Sequence, residues 1–489
     1  MEANKRQTQN FKDPIILIIA IVASGYFWFK GNDLSGNYGF AIWFAPIPVL
    51  FISFRSSAKI SFIIAFLAYL FGRMSWFKYL VSVATLVPAI VFTILLPLVF
   101  AFVVLRVRKV VVHSGKWWSV FAFPVLWTTF DFLVMRFSRD GSAASIAYSQ
   151  SGILPVIQVA SITGLVGVTF IITLFPSAVA TTAYFWQQKK ARWRILLSST
   201  IIIPGVILFG IIRLQSVGNN GQTLKTGLIV LEEKYHHITD HPDLQKELET
   251  AEAYEQEIRK MGEQKVQVVV LPERAVNITS ETDTAVMRIL KGAATNANLT
   301  IITGYTNFND HPIRNSAMLI DPNAGRVLSY NKVHLVTGLE NQFTPGEKPA
   351  LFSMGNSFAG TAICKDLDFP AYIRLYGEKH VGTLFVPAWD FDMDDWLHSR
   401  MAIMRGVENG FSEVRAARQG RLTISDAYGK IIGEASSTGG RQASLTGQVP
   451  DEPIKTLYAL IGDWFGILNV IVTLFFLFLF YFYKKKKVR

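Results

Sequence analysis

Val268-Val269-Val270-Leu271-Pro272-Glu273 is an apolar run, β-branched at its start, closed by a single carboxylate. Consecutive β-branched residues favour an extended strand buried on both faces, and a proline ends it, so Glu273 is delivered to a strand terminus. Two later segments share this design: Tyr330-Asn331-Lys332-Val333-His334-Leu335 and Thr361-Ala362-Ile363-Cys364-Lys365-Asp366. A carboxylate, an ammonium and a thiol brought to one sheet edge can make a nucleophilic centre. The carboxylate takes the thiol proton. The lysine, with a backbone N–H beside the cysteine, stabilises first the thiolate and then a tetrahedral oxyanion. The pattern alone leaves an ordinary alternative open, since Glu and Lys are usually solvated and a lone Cys is usually a small apolar residue.

Around these segments the composition from Leu224 onward is that of a globular domain. Strands are expected at Leu224–Leu231, Val266–Leu271, Leu299–Thr303, Ala317–Ile320, Val327–Tyr330, Phe358–Ile363, Leu384–Val386, Ser412–Ala416, Leu422–Ser425 and Lys430–Ile432. Helices are expected at Leu244–Met261, Asp283–Ala297 and Asp394–Asn409, with a hairpin turn at Asp321–Gly325. Strands alternating with helices read as an α/β layered domain over residues 220–450. No GxGxxG or P-loop occurs, and no carboxylate–histidine helix pattern, so no cofactor and no metal is expected. His236, His237 and His241 read as a charged loop.

The rest of the chain differs in kind. Of 489 residues, 51% are hydrophobic and only 17% charged, against about 25% in an average soluble protein. Residues 1–215 carry about seven runs approaching the roughly 20 apolar residues that cross a bilayer core. They are Pro14–Phe29, Tyr38–Phe54, Ile60–Met74, Tyr79–Leu105, Trp117–Met135, Val156–Trp186 and Ile195–Ile212; a last one, Tyr458–Tyr483, lies within residues 455–489. Lys and Arg concentrate at the N-terminus (Lys5, Arg6, Lys12), at Arg55 and Lys59, at Arg106–Lys116, at Lys189–Arg194 and in the tail Lys484–Lys487. Cytoplasmic loops retain such residues, which puts both termini in the cytoplasm and residues 220–450 outside it. The net charge of +12 (48 basic, 36 acidic) is thereby a topology signal, and no nucleic-acid partner is expected. With Cys364 the single cysteine, no intrachain disulfide and no cysteine-built metal site can form.

In order and spacing, Glu273, Lys332 and Cys364 resemble the Glu–Lys–Cys triad of the nitrilase (carbon–nitrogen hydrolase) superfamily. The preceding and following spans resemble its membrane-embedded branch, the apolipoprotein N-acyltransferases. Arg314-Asn315-Ser316-Ala317, Trp396-x-His398, Arg405, Glu408-Asn409-Gly410 and Asp426-x-x-Gly429 also fit that pattern. The resemblance implies an α-β-β-α sandwich on a multi-span helical domain in a bacterial inner membrane. Glu273 is then the general base, Lys332 the oxyanion stabiliser, Cys364 the acylated nucleophile, and Glu340 a second glutamate that positions the lysine and the incoming group. It further implies a phospholipid acyl donor and a diacylglyceryl apolipoprotein acceptor. The sequence departs from that pattern at Lys365-Asp366 (usually an aromatic, then Glu), at Leu231-Glu232-Glu233 (usually Gln-x-Asn), at Arg274 (usually small), and at Pro387–Asp392 (usually Asn-Asp-Ala-Trp wording). All of these departures are expected near the pocket.

Overall fold

The computed structural model describes residues 11–216, 222–236, 242–354 and 357–488, without the side chains of 479–488. Lys5, Arg6, His237 and His241 therefore lie outside the described residues. Two units make up the chain: Met1–Phe137 with Ala144–Gln215 and Asp463–Arg489, and Ser138–Ala143 with Ser216–Gly462.

In the first unit, six helices among the described residues are long and apolar enough to cross a membrane. They are Pro14–Gly31, Ala58–Ala84, Leu86–Ser114, Trp117–Phe137, Leu165–Tyr184 and Lys189–Gln215. Three boundaries differ from expectation. The second run is a 3₁₀ turn, Gly39–Trp43, followed by a helix of only Pro46–Ser53. The gap expected at residues 75–78 does not exist: the helix continues to Ala84, with Ser75 returning its hydroxyl to the Gly72 carbonyl (2.9 Å). It breaks at Thr85 (φ 69°), and Pro88 falls in the first turn of the next helix, where a missing N–H costs nothing. The sixth run is divided at Gly164 (φ 71°), after the short turns Leu154–Ile157 and Ala160–Thr163. The closing helix is Trp464–Val488.

This unit packs on aromatic contacts. Trp28, Tyr69, Phe100 and Trp127 are buried and meet mostly edge to face, the geometry ring quadrupoles prefer. Its buried carboxyl, Asp131, accepts from Ser145 (2.7 Å) and Thr169 (2.5 Å).

Among the described residues the second unit contains thirteen strands. These are β1 Thr223–Val230, β2 Val268–Val270, β3 Val276–Ile278, β4 Thr300–Asn307, β5 Arg314–Asp321, β6 Gly325–Asn331, β7 Ala350–Met354, β8 Ser357–Thr361, β9 Val381–Trp389, β10 Ser412–Arg418, β11 Arg421–Ser425, β12 Ile431–Ser436 and β13 Ala443–Pro450. One sheet runs β13-β1-β2-β4-β5-β6 with β3 beside β4, and the other runs β12-β11-β10-β9-β8-β7. Period-2 alternation decides what each strand covers. Leu228, Val230, Val268 and Val270 pack into the core shared with Phe385, Val414 and Ile424 of the other sheet. Ile229 and Val269 point the opposite way, against Tyr254, Ile258, Val286 and Leu290 of the helices Leu244–Glu263 and Asp283–Ala297. On the far face of the second sheet, Ile373 and Ala402 bring the helices Pro370–Glu378 and Asp395–Asn409 against Leu384 and Ala417. The layers are therefore helix, sheet, sheet, helix, the α-β-β-α sandwich. Short β3 and β7, the polar β13 and the helix Pro370–Glu378 carry too little hydrophobic periodicity to be read from sequence.

Candidate active site

The carboxylate, ammonium and thiol converge at the strand ends. Past β2 the chain keeps pairing briefly, with Leu271 N donating to Ile302 O (2.8 Å) and Gly304 N to Pro272 O (3.1 Å). Any side chain at Gly304 would run into the Pro272 carbonyl and the Glu273 Cα, so glycine is what lets the Glu273 backbone lie against β4. Lys332 follows β6, its N–H held by the Asn315 carbonyl (2.9 Å). Cys364 stands at φ 43° and opens a 3₁₀ turn, Cys364–Asp368. A non-glycine residue in that left-handed region is held against its own preference by the surroundings, which is common at functional turns.

The ammonium of Lys332, 1% exposed, donates to Glu273 Oε1 (2.7 Å) and Glu340 Oε2 (2.9 Å). Asn315 bridges the same two carboxylates, its amide donating to Glu273 Oε1 and Glu340 Oε1, each at 2.6 Å. Glu340 is fixed further by the Val336 N–H (2.7 Å). Burial would by itself lower Lys332, but Glu273 and Glu340 overcome it and hold the ammonium well above its ordinary pKa. Burial would likewise raise Glu340; the Lys332 charge overrides it and the carboxylate sits below its usual value.

Cys364 is 7% exposed, and among the described residues its thiol hydrogen-bonds to the Trp389 carbonyl (3.3 Å). Burial, then the charge of Glu273, push its pKa well above the ordinary thiol value despite Lys332. The surroundings of Cys364 thus favour the neutral thiol. One ammonium between two carboxylates leaves no surplus positive charge to support a thiolate.

Sequence reasoning missed the residues that assemble this centre. Asp366 is fully buried and accepts from Ile363 N, Tyr330 Oη, Val333 N and His334 N, at 2.6–3.2 Å. It ties the turn that carries Cys364 to the segment that carries Lys332. Lys365, whose charge beside the cysteine was an expected departure, extends to Asp140 (2.8 Å) and lies 3.9 Å from Asp368. Burial alone would lower it, yet Asp368 and Asp140 raise its pKa. Deeper still, Asp390 pairs through both oxygens with Arg415, and His398 lies 3.0 Å from Asp394. The signals for Asn315 and Asp366 were their places in the Arg-Asn-Ser-Ala and post-cysteine motifs, but a hydrogen-bond partner is not legible from either. Among the described residues no group of His, Cys, Asp and Glu is arranged to hold a metal.

Comparison with known proteins agrees with both units. The family model described as "Apolipoprotein N-acyltransferase N-terminal domain" matches residues 16–178, and "Carbon-nitrogen hydrolase" matches 236–448. The apolipoprotein N-acyltransferase of Geobacter metallireducens is 27% identical over 429 residues, covering 81% of this chain and 79% of its own. That of Rickettsia prowazekii is 22% identical, covering 86% and 88%. Among solved structures, an amidase from Nesterenkonia sp. AN1 is similar, with a TM-score of 0.42 and 19% identity over 48% of this chain and 93% of its own.

Proposed function

The chain belongs to the apolipoprotein N-acyltransferases, membrane-embedded relatives of the carbon–nitrogen hydrolases, and from that premise we propose that Cys364 carries an acyl chain between a phospholipid and the α-amine of a diacylglyceryl-cysteine apolipoprotein. The observation that carries this reading is the buried Glu273–Lys332–Glu340 network beside a cysteine at positive φ.

Because the resting thiol is neutral, its proton leaves during attack. Sγ bonds to the donor's ester carbonyl while Glu273 takes the proton. The tetrahedral oxyanion is stabilised by the Lys332 ammonium and the amide N–H of Lys365, donors already fixed before charge develops. Collapse breaks the carbon–oxygen bond, and Glu273 returns the proton to the departing lysophospholipid. The acceptor amine then attacks the thioester and loses a proton to Glu273, and the thiolate leaves and is reprotonated. Glu340 and Asn315 keep Lys332 and Glu273 in register through both halves.

Lys and Arg clustered at alternate loops support cytoplasmic termini and an extracytoplasmic catalytic domain. This is the side on which both lipid-anchored substrates are reached at the outer leaflet.

Intact-mass spectrometry of the full chain after incubation with phospholipid tests the proposal. An acyl mass on Cys364 is expected, followed by its transfer to the amine of an added diacylglyceryl-cysteine peptide. Release solely as free fatty acid would make the protein a hydrolase instead.

A further inference from the structure

In the first unit, the ends of three spanning helices meet at a cavity of about 380 Å³. The helix Leu86–Ser114 stops one residue short of it, and Trp117–Phe137 and Lys189–Gln215 begin in its lining. Its charged lining is Lys116, Lys189, Lys190 and Arg194, with no carboxylate. The volume is in the range of small-molecule sites.

These four charges have no counter-charge. Among the described residues none of the four side chains makes a hydrogen bond, ion pair or ring contact. Basic neighbours on the same loops behave differently. Arg108 donates through two nitrogens to the Ser56 carbonyl (3.0 and 2.6 Å), and Arg192 donates to the Trp186 carbonyl (3.1 Å). Acidic partners are scarce, since residues 34–215 include only two carboxylates, Asp131 and Asp140. Asp131 accepts from Ser145 and Thr169, and Asp140 pairs with Lys365. Membrane orientation needs basic residues on these loops, but it does not need four of them around one cavity. Like charges gathered there repel one another, and an anion among them reverses the sign of that interaction.

The location selects the anion. Ends of spanning helices lie at the level of lipid headgroups, where indoles also concentrate. Trp117 lines the cavity, and Trp186 and Trp193 are exposed on either side of Lys189 and Lys190 in the chain. Space for hydrocarbon adjoins it in sequence. Trp118 lines an apolar cleft of about 530 Å³ and stacks on Phe476 of the closing helix (5.7 Å). The 3₁₀ turn Trp117–Phe121 thus contributes to both spaces.

We propose that Lys116, Lys189, Lys190 and Arg194 bind the headgroup of an anionic phospholipid, with an acyl chain in the cleft beside Trp118. Basic pockets between spanning helices suit such headgroups, and four cations repel the ammonium of a zwitterionic one. This lipid is a resident that joins helix ends, not a substrate. The proposal needs only that these helices cross a bilayer, and it stands or falls independently of acyl transfer.

The test uses the full chain in detergent, with Cys364→Ala so that no lipid is consumed. It is titrated with phosphatidylglycerol, with phosphatidylcholine of the same chains and with inorganic phosphate. Phosphatidylglycerol should bind at least about tenfold more tightly than phosphatidylcholine, and Lys116→Gln with Lys190→Gln should weaken it by about tenfold or more. Lys116→Arg with Lys190→Arg should retain binding, which separates lost charge from a damaged fold. Lys59→Gln with Arg106→Gln removes as much charge from basic loops outside the cavity and should leave binding unchanged. Binding at the acyl-donor site is shared by every variant and does not enter the lysine dependence. Equal weakening by the Lys59 and Arg106 pair would mean diffuse attraction and overturn the proposal. So would equal affinity for the two lipids, binding indifferent to Lys116 and Lys190, or inorganic phosphate held as tightly as the lipid.

Discussion

Asp366 accepts the backbone N–H of His334 at 2.8 Å, so the turn that carries the thiol and the segment that carries the ammonium are one hydrogen-bonded piece. Replacing Asp366 by Ala would take the acceptor from the N–H groups of Val333, His334 and Ile363, while the Tyr330 hydroxyl keeps Tyr372 as its partner. Each buried unpaired donor costs about 1–3 kcal/mol. Asp366→Ala should therefore lower the melting temperature measurably and slow thioester formation by roughly a hundredfold or more. Thermal unfolding and intact-mass kinetics on the same sample check both. A variant melting normally would disprove the tether.

Replacing Glu273, the base of the proposed reaction, has a different signature. Glu273→Gln keeps the shape of the Lys332 site but cannot take a proton. Acylation of Cys364 should fall by about 10²–10⁴-fold with little change in donor KM. Cys364→Ala should show no acyl adduct on the protein. An adduct surviving in that variant would relocate the nucleophile.

Stability should fall as pH rises, because of two buried groups in the second sheet's helix-facing layer. Glu413 is fully buried, with neither carboxyl oxygen hydrogen-bonded among the described residues, and burial pushes its pKa up to about 8. A carboxyl raised in the folded state costs nothing while both states are protonated, then costs about 1.4 kcal/mol per pH unit from near 4.5 up to about 8. His398 works in the same direction. Burial would lower it, but Asp394 and Asp390 raise it to about 9, so its stabilisation is full below pH 6.5 and is lost between 6.5 and 9. Glu413→Gln should accordingly flatten the pH profile of unfolding and stabilise the protein near pH 8–9. A profile with unchanged slope would argue against a neutral Glu413.

Orientation can be read chemically, because Cys364→Ala leaves a chain without cysteine. Asn309→Cys, on an exposed loop of the sandwich, should react with a membrane-impermeant maleimide on intact cells. Lys190→Cys, exposed in the first turn of the helix Lys189–Gln215, should react only after permeabilisation. The reverse pattern would invert the topology.

The sandwich was legible wherever burial on both faces wrote an unbroken apolar run, as at Val268–Val270, and so were the residues standing just past such runs. Helix boundaries at Thr85 and Gly164 were not, because they depend on proline placement and positive φ rather than on hydropathy. Glu273, Lys332 and Cys364 announced themselves by chemistry. Asn315 and Asp366 did not: an amide bridging two carboxylates, or a carboxylate gathering four donors, exists only once distant strands are side by side. Lys365 looked like a charge placed next to the nucleophile. Its partners, Asp140 and Asp368, turn it into an anchor for the chain around 138–143.

The first strand of the sandwich, Thr223–Val230, pairs along its whole length with the last, Ala443–Pro450, Thr223 opposite Pro450. The strand made first on the ribosome therefore waits for the one made last. Until about residue 450 has been made, one edge of β1 lacks its partner, and its unpaired amides and carbonyls form a template for wrong pairing. Completion of the domain is thus tied to synthesis of its last strand, and this edge is where a chaperone would have most to protect.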